Sequence, residues 1–206
     1  NVSFYNETDE SGILPTPVIG VIGKVDLLET VCPSSFQQPG HLVFLLGETR
    51  AELGGSVYLQ LREAPLQGPI PRLDLEVEKT LQTKLLSAIR AGIIRSAHDV
   101  SDGGLLFCLA ESCLYTGLGL KAAVDTGSLR PDHFLLSETA SRVVVSIDPR
   151  DETRLLEHFN DLPVTRLGIV TEASFEIDAN DATLIALPIE DVMSRWEAGF
   201  EEVFRH

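Results

Sequence analysis

The sequence predicts an α+β fold, a mixed β-sheet covered by helices, and three observations carry that expectation. Unbroken apolar runs of strand length occur at His41 to Gly47 and Val143 to Ile147, as expected of strands buried on both faces. Amphipathic helical stretches stand between such runs, most plainly Leu73 to Ala91. Strand and helix signals nevertheless fail to alternate strictly, which argues against a doubly wound parallel sheet.

In chain order, residues 1–12 are polar and rich in turn formers (Asn6, Asp9, Ser11, Gly12). Pro15-Thr16-Pro17 opens Val18-Ile19-Gly20-Val21-Ile22-Gly23, whose β-branched residues predict a short buried strand. Asp26 to Gly40 has the composition of a connector, with Pro33, Ser34, Ser35, Pro39 and Gly40. The expected organisation is therefore a domain tail at 1–25, a linker at 26–40 and a second domain at 41–206. After the central strand at 41–47, Gly54-Gly55 precedes a short helix, Val57 to Leu61, for which Ser56 is a natural cap. A proline-rich loop leads to the helix of Leu73 to Ala91. There Val77, Leu81, Leu85 and Ile89 share a face, Asp74 caps the start and Gly92 ends it in a left-handed conformation.

Leu105 to Leu114 is an almost wholly apolar helix, broken by Gly117 and Gly119 before a strand at Leu120 to Val124. Asp148-Pro149 is a cap followed by proline at the first helical position, so a helix runs to about Asn160. Strands are expected at Val164 to Val170, Ser174 to Ile177 and Thr183 to Leu187. A terminal helix, Ile189 to Phe204, carries Val192, Trp196, Phe200 and Val203 on one face.

The 206 residues are 44% apolar but only 6% aromatic, so the core is mainly Leu, Val, Ile and Ala. Sixteen basic against 31 acidic residues give a net charge of −15, which argues against nucleic-acid or anionic-membrane surfaces. A nucleotide held through magnesium and backbone amides remains compatible with that charge. Cys32, Cys108 and Cys113 form no metal-ligand spacing and no even disulfide set, a pattern that fits free thiols in a reducing cytoplasm. No signal peptide and no apolar run long enough for a membrane span appears. The chain opens on Asn1 without a Met and reads as a fragment of a longer protein.

The stretch richest in chemistry is Ala97-His98-Asp99-Val100-Ser101-Asp102-Gly103-Gly104-Leu105. Paired glycines allow positive φ and let a ligand or another backbone approach. Asp102 is a natural N-cap, and the free amides beyond it suit a phosphate. Asp99 and Asp102 suit a hard cation carried by that phosphate. The plainer reading is a tight strand-to-helix turn. His98 reads as a positioning residue rather than a general base. Ser137-Glu138 with Arg142 would make a carboxylate–guanidinium pair, either structural or a ligand clamp. No Gly-x-Ser-x-Gly elbow, Walker A pattern, dinucleotide glycine motif or zinc spacing occurs.

Four strings together resemble one family: Asn1 to Thr8, Pro15 to Gly23, Glu52-Leu53-Gly54-Gly55-Ser56-Val57-Tyr58-Leu59, and Ala97 to Leu105. They are similar to the C-terminal part of phosphoribosylformylglycinamidine synthase, in its short form, within the aminoimidazole ribonucleotide synthase superfamily. The resemblance covers residue 1 to about 170. It implies a C-terminal domain of that superfamily's fold and an ATP- and magnesium-dependent ligase of purine biosynthesis. In that reaction the amide of formylglycinamide ribonucleotide becomes an amidine with ammonia from glutamine. It further implies a cytoplasmic protein whose partners are its own N-terminal half, a glutaminase subunit and a small accessory subunit. Residue by residue, Asn1 matches a magnesium-binding asparagine and Ser3 a substrate-binding serine. Asp99 matches a magnesium ligand, and Ser101 an ATP or ADP contact, of a non-catalytic nucleotide site. Ser137-Glu138 resembles a second copy of a substrate-binding segment, with Thr139-Ala140 where polar pairs are usual. No catalytic residue is carried over, and a fragment with these residues alone would be inactive. A nucleotide-holding scaffold and another superfamily enzyme, such as a small-molecule kinase, are the alternatives.

Overall fold

A computed structural model of the chain describes residues 7–8, 11–12, 19–25, 27–62 and 67–203. The chain divides into two compact units, Asn1–Val31 and Cys32–His206. The first holds an antiparallel pair, β1 (Glu7–Thr8) and β2 (Ser11–Gly12), and a 3-10 turn at Leu28–Thr30. Of the strand expected at 18–23, Val18 lies outside the described residues and 19–23 form no strand: residues 19–25 are irregular, and Ile19, Val21 and Ile22 are exposed. A β-branched run becomes a strand only where a neighbour accepts its backbone hydrogen bonds, and among the described residues none does.

The second unit is built on a seven-stranded mixed sheet. Its strands are β3 (Leu42–Leu46), β4 (Ile94–Asp99), β5 (Gly119–Val124), β6 (Val143–Ile147), β7 (Val164–Thr171), β8 (Ser174–Ala179) and β9 (Ala182–Pro188). Across the sheet the order is β4-β6-β3-β7-β5-β8-β9. The β5–β8 pair is parallel and every other pair antiparallel. The two unbroken apolar runs became β3 and β6, each flanked on both sides and buried at every position.

Side-chain alternation divides those strands between two cores. Val43, Leu45 and Val144 join α3 (Gly104–Leu114), α4 (Pro131–Leu136) and α6 (Ile189–Val203) through Leu105, Leu109, Leu135 and Ile189. Leu42, Phe44, Leu46, Val143, Val145 and Ile147 face α2 (Leu75–Arg90) and α5 (Glu152–His158) through Leu81, Ala88 and Leu155. Full burial of each such side chain stabilises by ~1.5–3 kcal/mol.

Local cap chemistry works at most predicted ends. Ser56 accepts from Leu59 N–H at the start of α1 (Val57–Leu61), Asp74 from Glu76 and Val77 N–H, and Asp148 from Arg150 N–H. Two helix faces depart from expectation at single positions. In α2, Leu81 is buried and Leu85 and Ile89 pack on the same core, as expected, with Ala88 buried beside them, whereas Val77 is exposed. In α6, Ile189 is buried and Val192 packs on the core as expected, with Met193 beside it, while Trp196 is nearly half exposed; the side chains of Phe200 and Val203 lie outside the described residues.

Candidate functional site

The corner after β4 is held from several directions. Asp99 lies opposite Val143 in the ladder with β6, and Val100 N–H donates to Arg142 carbonyl oxygen at 3.0 Å. Gly104 N–H closes the turn on Ser101 carbonyl oxygen at 3.0 Å. Gly103 and Gly104 both adopt left-handed backbone, with φ of +78° and +71°. A Cβ on Gly104 would lie 2.6 Å from Ser137 carbonyl oxygen, so the close approach that glycine permits is to another backbone.

Asp102 does not cap α3. The N-cap is Gly103, with no side-chain cap bond, and its N–H donates to Glu138 Oε1 at 2.9 Å. The same oxygen accepts Val57 N–H, also at 2.9 Å. The amide that the sequence seemed to offer to a phosphate is thus filled by the protein's own carboxylate, a favourable position for negative charge at a helix N-terminus. Glu138 therefore does not pair directly with Arg142.

Arg142 is instead a buried tie, 2% exposed. Its guanidinium donates to Ser137 carbonyl oxygen (2.6 Å), Thr139 carbonyl oxygen (2.9 Å) and Thr49 Oγ1 (3.1 Å). Burial pulls its pKa down to about 10, with Glu52 and Glu138 among the charges opposing that fall. Nearby, buried Glu52 accepts Arg72 N–H through Oε1 at 3.3 Å, the same oxygen lying 3.4 Å from Arg50 Nε.

Asp99 projects outward, its side chain 82% exposed, at the rim of a cavity of about 470 Å³. Leu73, Leu81 and Leu85 of the α2 side form its apolar wall, and Ser141, Arg142 and Val143 its floor. Ser141 has φ +60° and a buried Oγ without a hydrogen-bond partner, a strained arrangement of the kind found at ligand sites. Ser101 is exposed on the same turn. His98 is held by Nδ1 at 2.9 Å from Asp99 carbonyl oxygen and by Nε2 at 3.4 Å from Glu111 Oε2, so both ring nitrogens are engaged. Asn1 and Ser3 lie outside the described residues.

No three His, Cys, Asp or Glu side chains among the described residues converge to hold a metal. A magnesium ion held here would have Asp99 as its one carboxylate and would take its remaining ligands from water and phosphate oxygens. The three cysteines are free. Burial raises the Cys113 thiol to about 12 and the Cys108 thiol further, the latter aided by Glu111 and Asp99.

The family described as AIR synthase related protein, C-terminal domain, matches residues 38–179. The chain belongs to this family. A phosphoribosylformylglycinamidine synthase subunit PurL from Streptomyces coelicolor is 42% identical over 204 residues, covering 96% of this chain and 26% of the relative. The subunit of the same name from Anaeromyxobacter dehalogenans is 38% identical over 216 residues, covering all of this chain and 28% of the relative. The chain thus spans about a quarter of the length of the curated relatives it matches. Among solved structures, Thermotoga maritima PurL complexed with FGAR aligns at a TM-score of 0.66 and 20% identity, covering 81% of this chain and 30% of that one. The same protein complexed with ATP aligns at 0.64 and 20% identity, with 81% and 28% covered. At that identity the alignment shows a shared fold, the AIR synthase related α+β domain with its mixed sheet.

Sequence reasoning placed Asp99 and Ser101 on one turn but missed the role of Glu138 and the burial of Arg142. Thr139 carried the one available signal: a small polar residue beside a glutamate suits backbone bonding, and its hydroxyl exchanges hydrogen bonds with both Arg50 N–H and Arg50 carbonyl oxygen.

Proposed function

We propose that the chain is the C-terminal portion of a short-form phosphoribosylformylglycinamidine synthase. The whole protein would convert formylglycinamide ribonucleotide to its amidine with ATP and glutamine-derived ammonia in purine biosynthesis. The observation that carries this reading is the 42% identity to a subunit of that name along almost the whole chain. Residues 1–25 would be the tail of the preceding ATP-binding-type domain, 26–40 the linker and 41–206 the second C-terminal-type domain. A tail of that kind accounts for exposed Ile19, Val21 and Ile22, an apolar run without strand neighbours among the described residues. The compartment would be the cytoplasm. No helix among the described residues is long and apolar enough to cross a membrane.

Within that protein, Asn1 would bind magnesium and Ser3 the substrate. Asp99 and Ser101 would hold a non-catalytic magnesium nucleotide, Asp99 as metal ligand and Ser101 as a hydroxyl donor to phosphate oxygen. Magnesium offsets charge on phosphate oxygens when bound with nucleotide. The exposure of Asp99 at the mouth of an apolar-walled cavity supports this, since a nucleotide needs a polar anchor beside a surface for its base. The partners would be the N-terminal half of the same protein, the glutaminase subunit and the small accessory subunit. A structure of T. maritima PurLQS shares the fold at a TM-score of 0.63.

Turnover assays test the reading. The full-length protein with its glutaminase and accessory subunits should form the amidine from formylglycinamide ribonucleotide, magnesium ATP and glutamine. The 206 residues alone should not. Absence of turnover in the full-length assembly, or turnover by the isolated chain, would overturn it.

A further inference from the structure

One segment, 137–142, holds the turn that follows Asp99 at both ends. Before the corner, Arg142 carbonyl oxygen accepts Val100 N–H at 3.0 Å. After it, Glu138 Oε1 accepts Gly103 N–H at 2.9 Å. Only Ser101 and Asp102 lie between these anchors, and both are exposed. The anchoring segment is itself fixed. Arg142 donates to the carbonyl oxygens of Ser137 and Thr139, on either side of Glu138. Glu138 N–H donates to Glu52 carbonyl oxygen at 3.3 Å, and Ser137 carbonyl oxygen fills the space a side chain on Gly104 would need. The carboxylate also reaches the start of α1, just after the other glycine turn, Gly54-Gly55, through Val57 N–H at 2.9 Å.

We propose that Glu138 is the positioning residue of the nucleotide site: by bridging Val57 and Gly103 amides with one oxygen it sets where Ser101 stands beside Asp99, which the ladder with β6 holds. This rests on the nucleotide reading given above for Asp99 and Ser101. The chemistry is specific. An ionised carboxylate accepting two backbone N–H groups makes charge-assisted bonds about twice as strong as neutral ones. It also places a resident negative charge at the start of the eleven-residue α3. With that amide occupied, the ligand's phosphate meets the corner through Ser101 and through the cation on Asp99.

The test uses the full-length protein and three substitutions. Magnesium ADP is titrated calorimetrically, and the relevant site is defined as the one lost in Asp99→Ala. Backbone hydrogen exchange at Val57 and Gly103 is followed in parallel. Glu138→Ala removes the acceptor and should weaken binding at that site about tenfold or more, the equivalent of about 1.4 kcal/mol. It should also speed exchange at both amides. Glu138→Gln keeps an oxygen in place and should restore affinity to within about threefold of wild type, with exchange slow again. Unchanged affinity in Glu138→Ala, whatever its melting temperature, would overturn the positioning role, as would unchanged exchange at Gly103. If Asp99→Ala binds the nucleotide as wild type does, the nucleotide reading fails instead. The bridge then stands or falls on the exchange rates alone.

Discussion

Replacing Arg142 with leucine removes the tie that holds the Glu138 segment, and the structure sets the size of the loss. Three hydrogen bonds run from one charged group to Ser137 and Thr139 carbonyl oxygens and to Thr49 Oγ1. Bonds to charged groups contribute about 1.5–3 kcal/mol each. Against them stands the cost of keeping a guanidinium buried at 2% exposure, already visible in its lowered pKa. That cost is several kcal/mol, offset in the variant by apolar volume of similar size. Buried acceptors left unpaired cost about 1–3 kcal/mol each, so the net loss on Arg142→Leu comes to about 3–5 kcal/mol. For a unit of this size it lowers the melting temperature by about 10 °C, at about 2–4 °C per kcal/mol. Arg142→Lys should recover less than half, because one ammonium cannot reach three acceptors spread around a planar fork. Thermal and urea unfolding of the full-length protein check both. A melting temperature for Arg142→Leu within about 2 °C of wild type would refute the reasoning.

Gly104→Ala should destabilise by about 2–4 kcal/mol, from left-handed strain and from a Cβ placed 2.6 Å from Ser137 carbonyl oxygen, measured by urea unfolding. His41 is buried with Nδ1 unpartnered, and its pKa is held below 6.5, mainly by burial, with Asp148 opposing and Arg95 assisting. Above pH 6.5 it is neutral folded and unfolded. As pH falls below 6.5 the unfolded chain takes up the proton first, so stability declines with falling pH. The urea midpoint of His41→Phe should therefore depend less steeply on pH over that range than the wild-type midpoint. A thiol reagent should modify half-buried Cys32 in the native protein and reach Cys108 and Cys113 only after denaturation: burial raises all three thiols, but only Cys32 is open to solvent.

What could be read from the sequence was what local chemistry decides. Leu42–Leu46 and Val143–Ile147 declared themselves because strands buried on both faces need apolar residues at every position. Ser56, Asp74 and Asp148 declared their caps because a cap reaches only two or three residues ahead. β4 carries the mixed string Ile94-Arg95-Ser96-Ala97-His98-Asp99, as an edge strand covered unevenly can, and α4 has six residues with Pro131 as its main signal. Neither imposes a period long enough to read. The site divides in the same way. Asp99 and Ser101 are neighbours in sequence and share a turn. The partners of Glu138 lie 35 and 81 residues away, and nothing local shows that its carboxylate, rather than Asp102, meets the first amides of α3.

The proposed nucleotide site is tested most directly by counting bound magnesium ADP on the full-length protein, wild type beside Asp99→Ala. Asp99 is 82% exposed and lies at the rim of the cavity, so its removal should leave the melting temperature essentially unchanged. The account predicts one nucleotide fewer per protein in Asp99→Ala, with the remaining binding unaltered. Equal stoichiometry and equal affinity in the two proteins would contradict it.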